Sequence, residues 1–275
     1  MTNTEVPRHP RTAGLLLGGI LTGVLLAAAS AGLWVVLAGP APVHTESQQQ
    51  TYREPVTSID ILVGLSNSSV TLISGKPGIV TVRRQVTWSR AKPVPEERIV
   101  GRTLQIRAHC SSPLLPPTGQ CRSDLVVEVP PEATVRAEVA AGRIQAEQLT
   151  GAVDLTTYGG DITVSGLRGR LRARSDGGSI TGSDLAGAET QVKARWGDVD
   201  LRFAAAPTLV QAAVGTGDVS IAVPRAGTGP DGYLVRADTG NGRQNVDVPQ
   251  DSAGRHTIDA HSDHGDVTVR HPTSG

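Results

Sequence analysis

The sequence is poor in the large side chains that usually fill a protein core. Of its 275 residues only 3% are aromatic, whereas 32 are glycine. Ordinary globular cores depend on large apolar and aromatic side chains, so this composition favours a thin β structure with many turns. The formal net charge is also zero. No general electrostatic attraction therefore draws the chain to nucleic acid or to an anionic membrane, and we predict no nucleic-acid partner.

Cysteine is equally scarce. Only Cys110 and Cys121 occur, on either side of a proline-rich segment, and they lack the C-x-x-C spacing of redox and zinc pairs. In an exported domain, two cysteines that flank a short loop usually form a structural disulfide. We therefore predict a Cys110–Cys121 disulfide, which would stabilise the fold by about 3 kcal/mol in the chain-entropy model. A redox pair or a pair of metal ligands are the alternatives.

The sequence also lacks the residue patterns of common active sites. It has no Ser/His/Asp arrangement, no phosphate-binding glycine loop and no thiol nucleophile in a typical setting. Its acidic residues are scattered, whereas glycoside hydrolysis needs an acid and a base at a fixed separation. We predict no enzymatic activity and no cofactor. A glycan-active enzyme is kept as an alternative that a clustered acid pair would support.

One long apolar run stands near the N-terminus. Residues 14–38 carry no charge, which is enough to span about 30 Å of hydrocarbon as a helix. Arginines precede the run and none follows it until Arg53, so residues 1–13 are predicted to be a cytoplasmic tail and the remainder to lie outside the cell membrane. A cleaved signal peptide is the alternative, although its apolar region is usually shorter.

The segment after this run predicts a linker and then the first strands. Residues 39–56 are rich in proline and glutamine and show no apolar period, which indicates a linker before a domain at 57–272. Charged, proline-rich residues 90–101 predict a loop. Alternating apolar residues predict strands at 59–61, 70–72, 79–86, 104–108 and 125–129.

A short pattern then repeats through the rest of the chain. Each copy has a glycine, a polar residue and an alternating apolar stretch, and the first three copies start 18 residues apart, at Gly142, Gly160 and Gly178. Later copies are spaced more widely, and L-x-G turns lie between the early ones, each followed by a segment of period two. Such a unit cannot bury its apolar face alone, so the units must stack. The later copies start at Gly197, Gly217, Gly242 and Gly265.

The repeat predicts an all-β fold, a β-solenoid or β-helix of roughly 18-residue coils, each with two short strands. Small residues at the inward positions suit a narrow interior between the strands; they are Ala137, Ala173, Ala194 and Ala212. The same period of two predicts that Trp196 also points inward.

These features resemble the adhesin-like DUF4097 family of bacterial surface proteins. The resemblance is carried by Val129-Pro130 before the repeats, by the G-D-[IV] copies and by the L-x-G turns, and it covers roughly residues 57–270. It implies a β-solenoid and a location in the envelope, and it brings no catalytic residues. The arginine-rich, lysine-poor composition resembles that of actinobacterial proteins.

Stacked coils place equivalent residues in columns about 4.8 Å apart. At the G-D-[IV] turn, consecutive stacking makes Asp198 and Asp218 the only adjacent acids, and this pair is a weak candidate for calcium. The alternative is that aspartate caps backbone N–H groups of the tight turn. Four histidines near the C-terminus lie among aspartates but match no zinc spacing, so no metal is predicted; they are His256, His261, His264 and His271.

The outward positions of the other strand predict a basic patch. Stacking places Lys193 beside Arg172 and Arg195 beside Arg174, with Arg168 and Arg170 nearby. Such a patch suits an acidic glycan, a phosphate-bearing envelope polymer or lipid headgroups, because arginine makes charge-assisted, often bidentate bonds. The alternative is that exposed charges only keep the solenoid soluble.

Together these features predict a single-pass membrane protein whose extracytoplasmic solenoid has a structural or adhesin-like binding role. The ligand would be an acidic glycan or another envelope polymer. An alternative is an envelope-stress sensor, or a regulatory partner whose anchor contacts another membrane protein.

Overall fold

The computed structural model describes residues 27–30, 42–65, 67–89, 92–110, 120–227 and 229–272. The chain divides into two compact units, Met1–Pro42 and Val43–Gly275. Residues 27–30 are helical, but the rest of the predicted tail and membrane helix lies outside the described residues. No helix within the described ranges is long and apolar enough to cross a membrane.

The second unit is all-β in its described part, apart from one short 3-10 turn at Gly229–Asp231. Its strands are β1 His44–Tyr52, β2 Ser58–Val63, β3 Ser68–Ser74, β4 Val80–Trp88, β5 Pro93–Val100, β6 Thr103–Cys110, β7 Cys121–Val129, β8 Thr134–Val139, β9 Gly142–Glu147, β10 Val153–Thr157, β11 Ile162–Ser165, β12 Leu171–Gly177, β13 Ile180–Leu185, β14 Glu189–Trp196, β15 Val199–Phe203, β16 Leu209–Thr216, β17 Val219–Ala222, β18 Tyr233–Asn241, β19 Gln244–Asp247, β20 His256–His264 and β21 Val267–Arg270.

These strands form two long sheets. Sheet I has the order β1-β4-β7-β3-β9-β11-β13-β15-β17-β21-β19, and sheet II has the order β18-β20-β16-β14-β12-β10-β8-β2-β6-β5. From β8 onward each repeat contributes one strand to each sheet, and neighbouring repeats pair in parallel. The predicted all-β fold is confirmed, and its long parallel sheets are consistent with a β-solenoid.

The core lies between the sheets and is thin. Inward side chains of both sheets are buried while their neighbours along each strand face outward, as the burial of alternate residues in β10 and β12 shows. The four alanines predicted to point inward are all nearly inaccessible, at 1% or 2% exposed. Small side chains at these positions let the sheets approach closely, so large aromatic residues are not needed.

The coils at both ends do not stack in sequence order. The last coil, β20 with β21, lies between the β16–β17 coil and the β18–β19 coil. Its apolar side chains are fully buried, for example Ile258 and Val267 at 0%, whereas β19 is largely exposed. The more apolar coil therefore occupies the interior position. At the other end the β2–β3 coil likewise lies between β8–β9 and β6–β7.

Antiparallel strands cover the N-terminal end, and two of them correct sequence predictions. Residues 39–56 contain β1, which pairs antiparallel with β4, so they are not only a linker. Residues 90–101 contain β5, antiparallel to β6, rather than a loop. Both are edge strands, where prolines such as Pro93 and Pro95 are tolerated. β1 is exposed on both faces, and the more buried face of β5 carries Pro95 and Glu97, so neither strand shows an alternating apolar pattern.

Candidate ligand-binding site

The predicted disulfide is confirmed. Cys110 at the end of β6 is bonded to Cys121 at the start of β7, with 6.5 Å between their Cα atoms. The bond closes the segment that joins sheet II to sheet I. Structural disulfides of this kind persist in oxidising compartments.

The turn aspartates cap the backbone of the neighbouring coil. Oδ1 of Asp198 accepts the N–H of Asp218 at 2.9 Å, and Oδ1 of Asp218 accepts the N–H of Asp266 at 2.7 Å. The next residue in this column is therefore Asp266, not Arg243, and the predicted pair of adjacent acids is a run of three. The backbone N–H and side chain of Arg243 lower the pKa of Asp266. These bonds favour the turn-capping alternative over calcium for Asp198 and Asp218.

The basic side chains lie on the outer face of sheet II, but in a different register from the one predicted. Arg172 pairs with Gln191, and Arg174 pairs with Lys193. Arg195 lies one step further along, beside Asp176, at 3.6 Å. The prediction was wrong by two residues because Thr190 occupies an inward position, at 1% exposed, and Trp196, predicted inward, is 58% exposed.

A groove of about 510 Å³ runs over β16 on this face. Its floor is formed by the small residue Ala213, which stands between Lys193 and His261 in the same column of the sheet. Long side chains on the neighbouring coils form the walls, because they extend beyond this small residue. The polar and charged lining residues are Arg172, Arg174, Gln191, Lys193, Gln211, Arg236, Asp238, Asp259 and His261.

One wall of the groove carries basic groups that are only partly neutralised. Arg172 donates to the amide oxygen of Gln191 at 3.1 Å, and no described ion pair involves Arg172 or Lys193. Arg174 bonds Asp176 at 3.1 Å. The structure therefore brings Arg172, Arg174 and Lys193 together, as predicted for the patch, and leaves two cations available for an anionic ligand.

The other predicted basic residues do not line this groove. Arg195 lines a second cavity, of about 300 Å³, which shares Arg174, Lys193, Ala213 and His261 with the groove. Arg168 and Arg170 are exposed on the turn between β11 and β12 and line neither cavity.

The opposite wall contains acidic groups that sequence reasoning did not place there. The ring of His261 lies 3.3 Å from Asp238 and 2.9 Å from Asp263, and Arg236 lies 3.5 Å from Asp259. The exchange of the last two coils places Asp259 and His261 of β20 directly beside β16. Arg236 and Asp238 of β18 lie one coil further away, whereas a stack in sequence order would reverse the two coils.

The four histidines do not form one cluster. His256 and His271 bond the backbone carbonyl oxygens of Pro207 and Val223. Among the residues that the structure describes, no group of three or more His, Cys, Asp or Glu side chains is arranged to hold a metal ion.

Comparison with known proteins gives a family and distant structural neighbours. The model of the Toastrack DUF4097 family matches residues 132–270, which include every residue of the groove. No curated protein matches the chain.

Solved structures with a similar arrangement include a candidate adhesin from Bacteroides fragilis, 13% identical, covering 82% of this chain and 97% of its own, with a TM-score of 0.41. A candidate lipid binding protein from Parabacteroides distasonis is 11% identical over 82% of this chain and 96% of its own, with a TM-score of 0.42. These similarities are too low to carry an argument about ligands.

Proposed function

The chain belongs to the Toastrack DUF4097 family, and from that premise we propose that it is an adhesin-like binding protein that presents the groove of sheet II to an anionic polymer of the cell envelope. The described coils number nine, so the stack extends about 40 Å at 4.8 Å per step. A rigid stack of this kind fixes the spacing of the outward side chains without a conformational change.

The observation that carries the proposal is the groove over β16. Arg172, Arg174 and Lys193 line one wall, and only Arg174 has a described carboxylate partner, Asp176. Guanidinium groups form strong, directional bonds with carboxylate and phosphate. A groove that crosses several coils can contact a polymer at several points along its length, whereas a single surface ion pair contacts it at one point.

The acidic side of the groove supports binding rather than catalysis. Asp238 and Asp263 both contact His261, and Asp259 contacts Arg236. Each carboxylate is thus held by a partner. A glycosidase needs one carboxylic acid and one carboxylate that face the bond to be cleaved, so we propose no enzymatic role.

The membrane position is part of the proposal. The uncharged run at 14–38 would anchor the chain as a single helix, with the solenoid outside the membrane. The Cys110–Cys121 disulfide supports export, because the cytosol keeps most thiols reduced.

Charge reversal on the basic wall tests the proposal. We expect the full-length chain to bind acidic glycans or anionic polymers at low salt and to release them at high salt, because exposed charges are screened. The double variant Arg172→Glu plus Arg174→Glu should weaken this binding at least tenfold, through the loss of two attractive contacts. Equilibrium binding to immobilised polymers, with neutral and anionic vesicles in parallel, measures the effect.

A matched control uses the opposite sheet. Arg202 on β15 lies 3.1 Å from Asp200, the same spacing along a strand as Arg174 and Asp176, and Arg143 on β9 is similarly exposed. The variant Arg143→Glu plus Arg202→Glu makes the same change in net charge and should bind as the wild type does. Equal losses in both variants, or no binding of any anionic polymer, would overturn the proposed site and move attention to a protein partner.

A further inference from the structure

An exposed aromatic side chain lies next to the basic wall. Trp196 ends β14 and is 58% exposed, and Tyr158, just beyond β10, is 55% exposed. Isolated apolar residues on a surface are common, so exposure alone gives no function. What distinguishes these two is that they flank the same stretch of the solenoid surface.

The surface between the two aromatic residues is bare backbone. The turn glycines mark equivalent positions in successive coils, because each donates its N–H to the next coil: Gly178 to Trp196 at 2.9 Å and Gly160 to Gly177 at 2.7 Å. In the same way Gly142 donates to Gly159 at 2.7 Å. The two coils that precede Trp196 in the stack therefore carry glycine at its position, Gly177 and Gly159, whereas the coil that follows carries Thr216. The two glycines leave a strip about 10 Å long with no side chain.

Tyr158 borders the far end of this strip, adjacent to Gly159. Its hydroxyl donates to Glu138 at 3.0 Å, and this bond raises the pKa of Tyr158. The phenol is therefore neutral and held in place at neutral pH. An aromatic side chain thus stands at each end of the glycine strip.

Cationic groups border the strip on the groove side. The guanidinium of Arg195 lies 5.7 Å from the centre of the Trp196 ring, within the range of a cation–π contact. Arg174 and Arg195 share one carboxylate, Asp176, at 3.1 and 3.6 Å. Lys193 stands beside Arg174 in the sheet. The second cavity is thus lined by these three cations and by two carboxylates, Asp176 and Asp263, so the cations outnumber the acids there.

We propose that this surface binds a carboxylated polysaccharide, with sugar rings stacked on Trp196 and Tyr158 and carboxylates paired with Arg174, Lys193 and Arg195. The inference rests on the proposed function and names its ligand class. The C–H bonds on one face of a pyranose ring are slightly positive and match the negative face of an aromatic ring. Poly(glycerol phosphate) or a glycerol phosphate headgroup would use the cations but has no ring to place on the indole.

The test measures binding of polygalacturonate to the full-length chain at low salt, with poly(glycerol phosphate) as the comparison polymer. We expect Trp196→Ala to weaken polygalacturonate binding about tenfold, by loss of a stacking face. Trp196→Phe, which keeps a flat ring, should retain most of the affinity. Binding of poly(glycerol phosphate) should not depend on Trp196. Circular dichroism and thermal melting confirm that each variant is folded, as expected for an exposed position.

The outcomes separate this inference from the proposed function. If Trp196→Ala binds polygalacturonate as well as the wild type, while the Arg172→Glu plus Arg174→Glu variant does not, the groove remains a site and the stacking is overturned. The same conclusion follows if the wild type binds only poly(glycerol phosphate) or only anionic vesicles. If the wild type binds none of these ligands, both proposals fail.

Discussion

The variant Gly160→Ala is expected to lose about 4 kcal/mol or more of its free energy of unfolding, or not to fold at all. Gly160 has φ of +146°, a conformation that L side chains rarely adopt. An added Cβ would lie 2.2 Å from the carbonyl oxygen of Gly142 in the neighbouring coil. The clash is with backbone that is itself paired, so neither coil can move without losing hydrogen bonds. Chemical unfolding followed by circular dichroism measures the change.

Gly78 gives the matched control. It also has positive φ, +72°, but nothing lies within 4 Å of an added Cβ. Gly78→Ala should therefore cost only the conformational penalty, about 1 kcal/mol. If the two alanine variants lose similar stability, close stacking of the coil backbones is not what makes glycine necessary at position 160.

The variant Glu97→Ala is expected to cost about 3 kcal/mol, because it leaves a largely buried cation without its partner. Arg84 on β4 pairs with Glu97 on β5, and their side chains are only 17% and 9% exposed. Tyr52 on β1 also donates to Glu97. Burial and this hydrogen bond raise the pKa of Tyr52, so the phenol stays protonated and can donate. One carboxylate thus joins sheets I and II at the N-terminal end.

Two further variants identify the source of this loss. Glu96→Ala removes an exposed carboxylate from the same strand and should change stability by less than about 0.5 kcal/mol. The double variant Arg84→Met plus Glu97→Leu should recover most of the stability, because apolar groups replace the whole pair. A double variant as unstable as Glu97→Ala would contradict the explanation by an uncompensated charge. Chemical unfolding of all three proteins provides the comparison.

The repeated part of the fold could be predicted from the sequence because each coil contains the residues that determine its own turns and strands. A glycine marks the turn where two backbones approach, and alternating apolar residues mark the inward positions, as at Gly160 and Leu155. The inward alanines were recognisable for the same reason. The confirmed disulfide followed from the scarcity of cysteine and from the short segment between Cys110 and Cys121.

The features that were predicted wrongly depend on contacts between residues that are far apart in the sequence. Thr190 is polar but buried, so the alternation at β14 supports two registers, and only packing selects one. Edge strand β1 has no apolar period because it is exposed on both faces. The order of the end coils depends on which of two coils buries more apolar surface, and this order places His261 next to Ala213 and Asp238 one coil beyond it. The indole of Trp196 was interpreted as core for the same reason of register.

The central claim is that the ligand lies in the groove over β16, and Ala213→Trp tests it most directly. The substitution fills the floor between Lys193 and His261 without changing any charge, and an outward aromatic residue suits a strand. The measurement is binding of polygalacturonate and poly(glycerol phosphate) at low salt, with thermal melting of the same samples. We predict a melting temperature like that of the wild type and loss of binding to whichever polymer the wild type binds. A folded Ala213→Trp variant that binds this polymer with unchanged affinity would contradict the assignment of the groove.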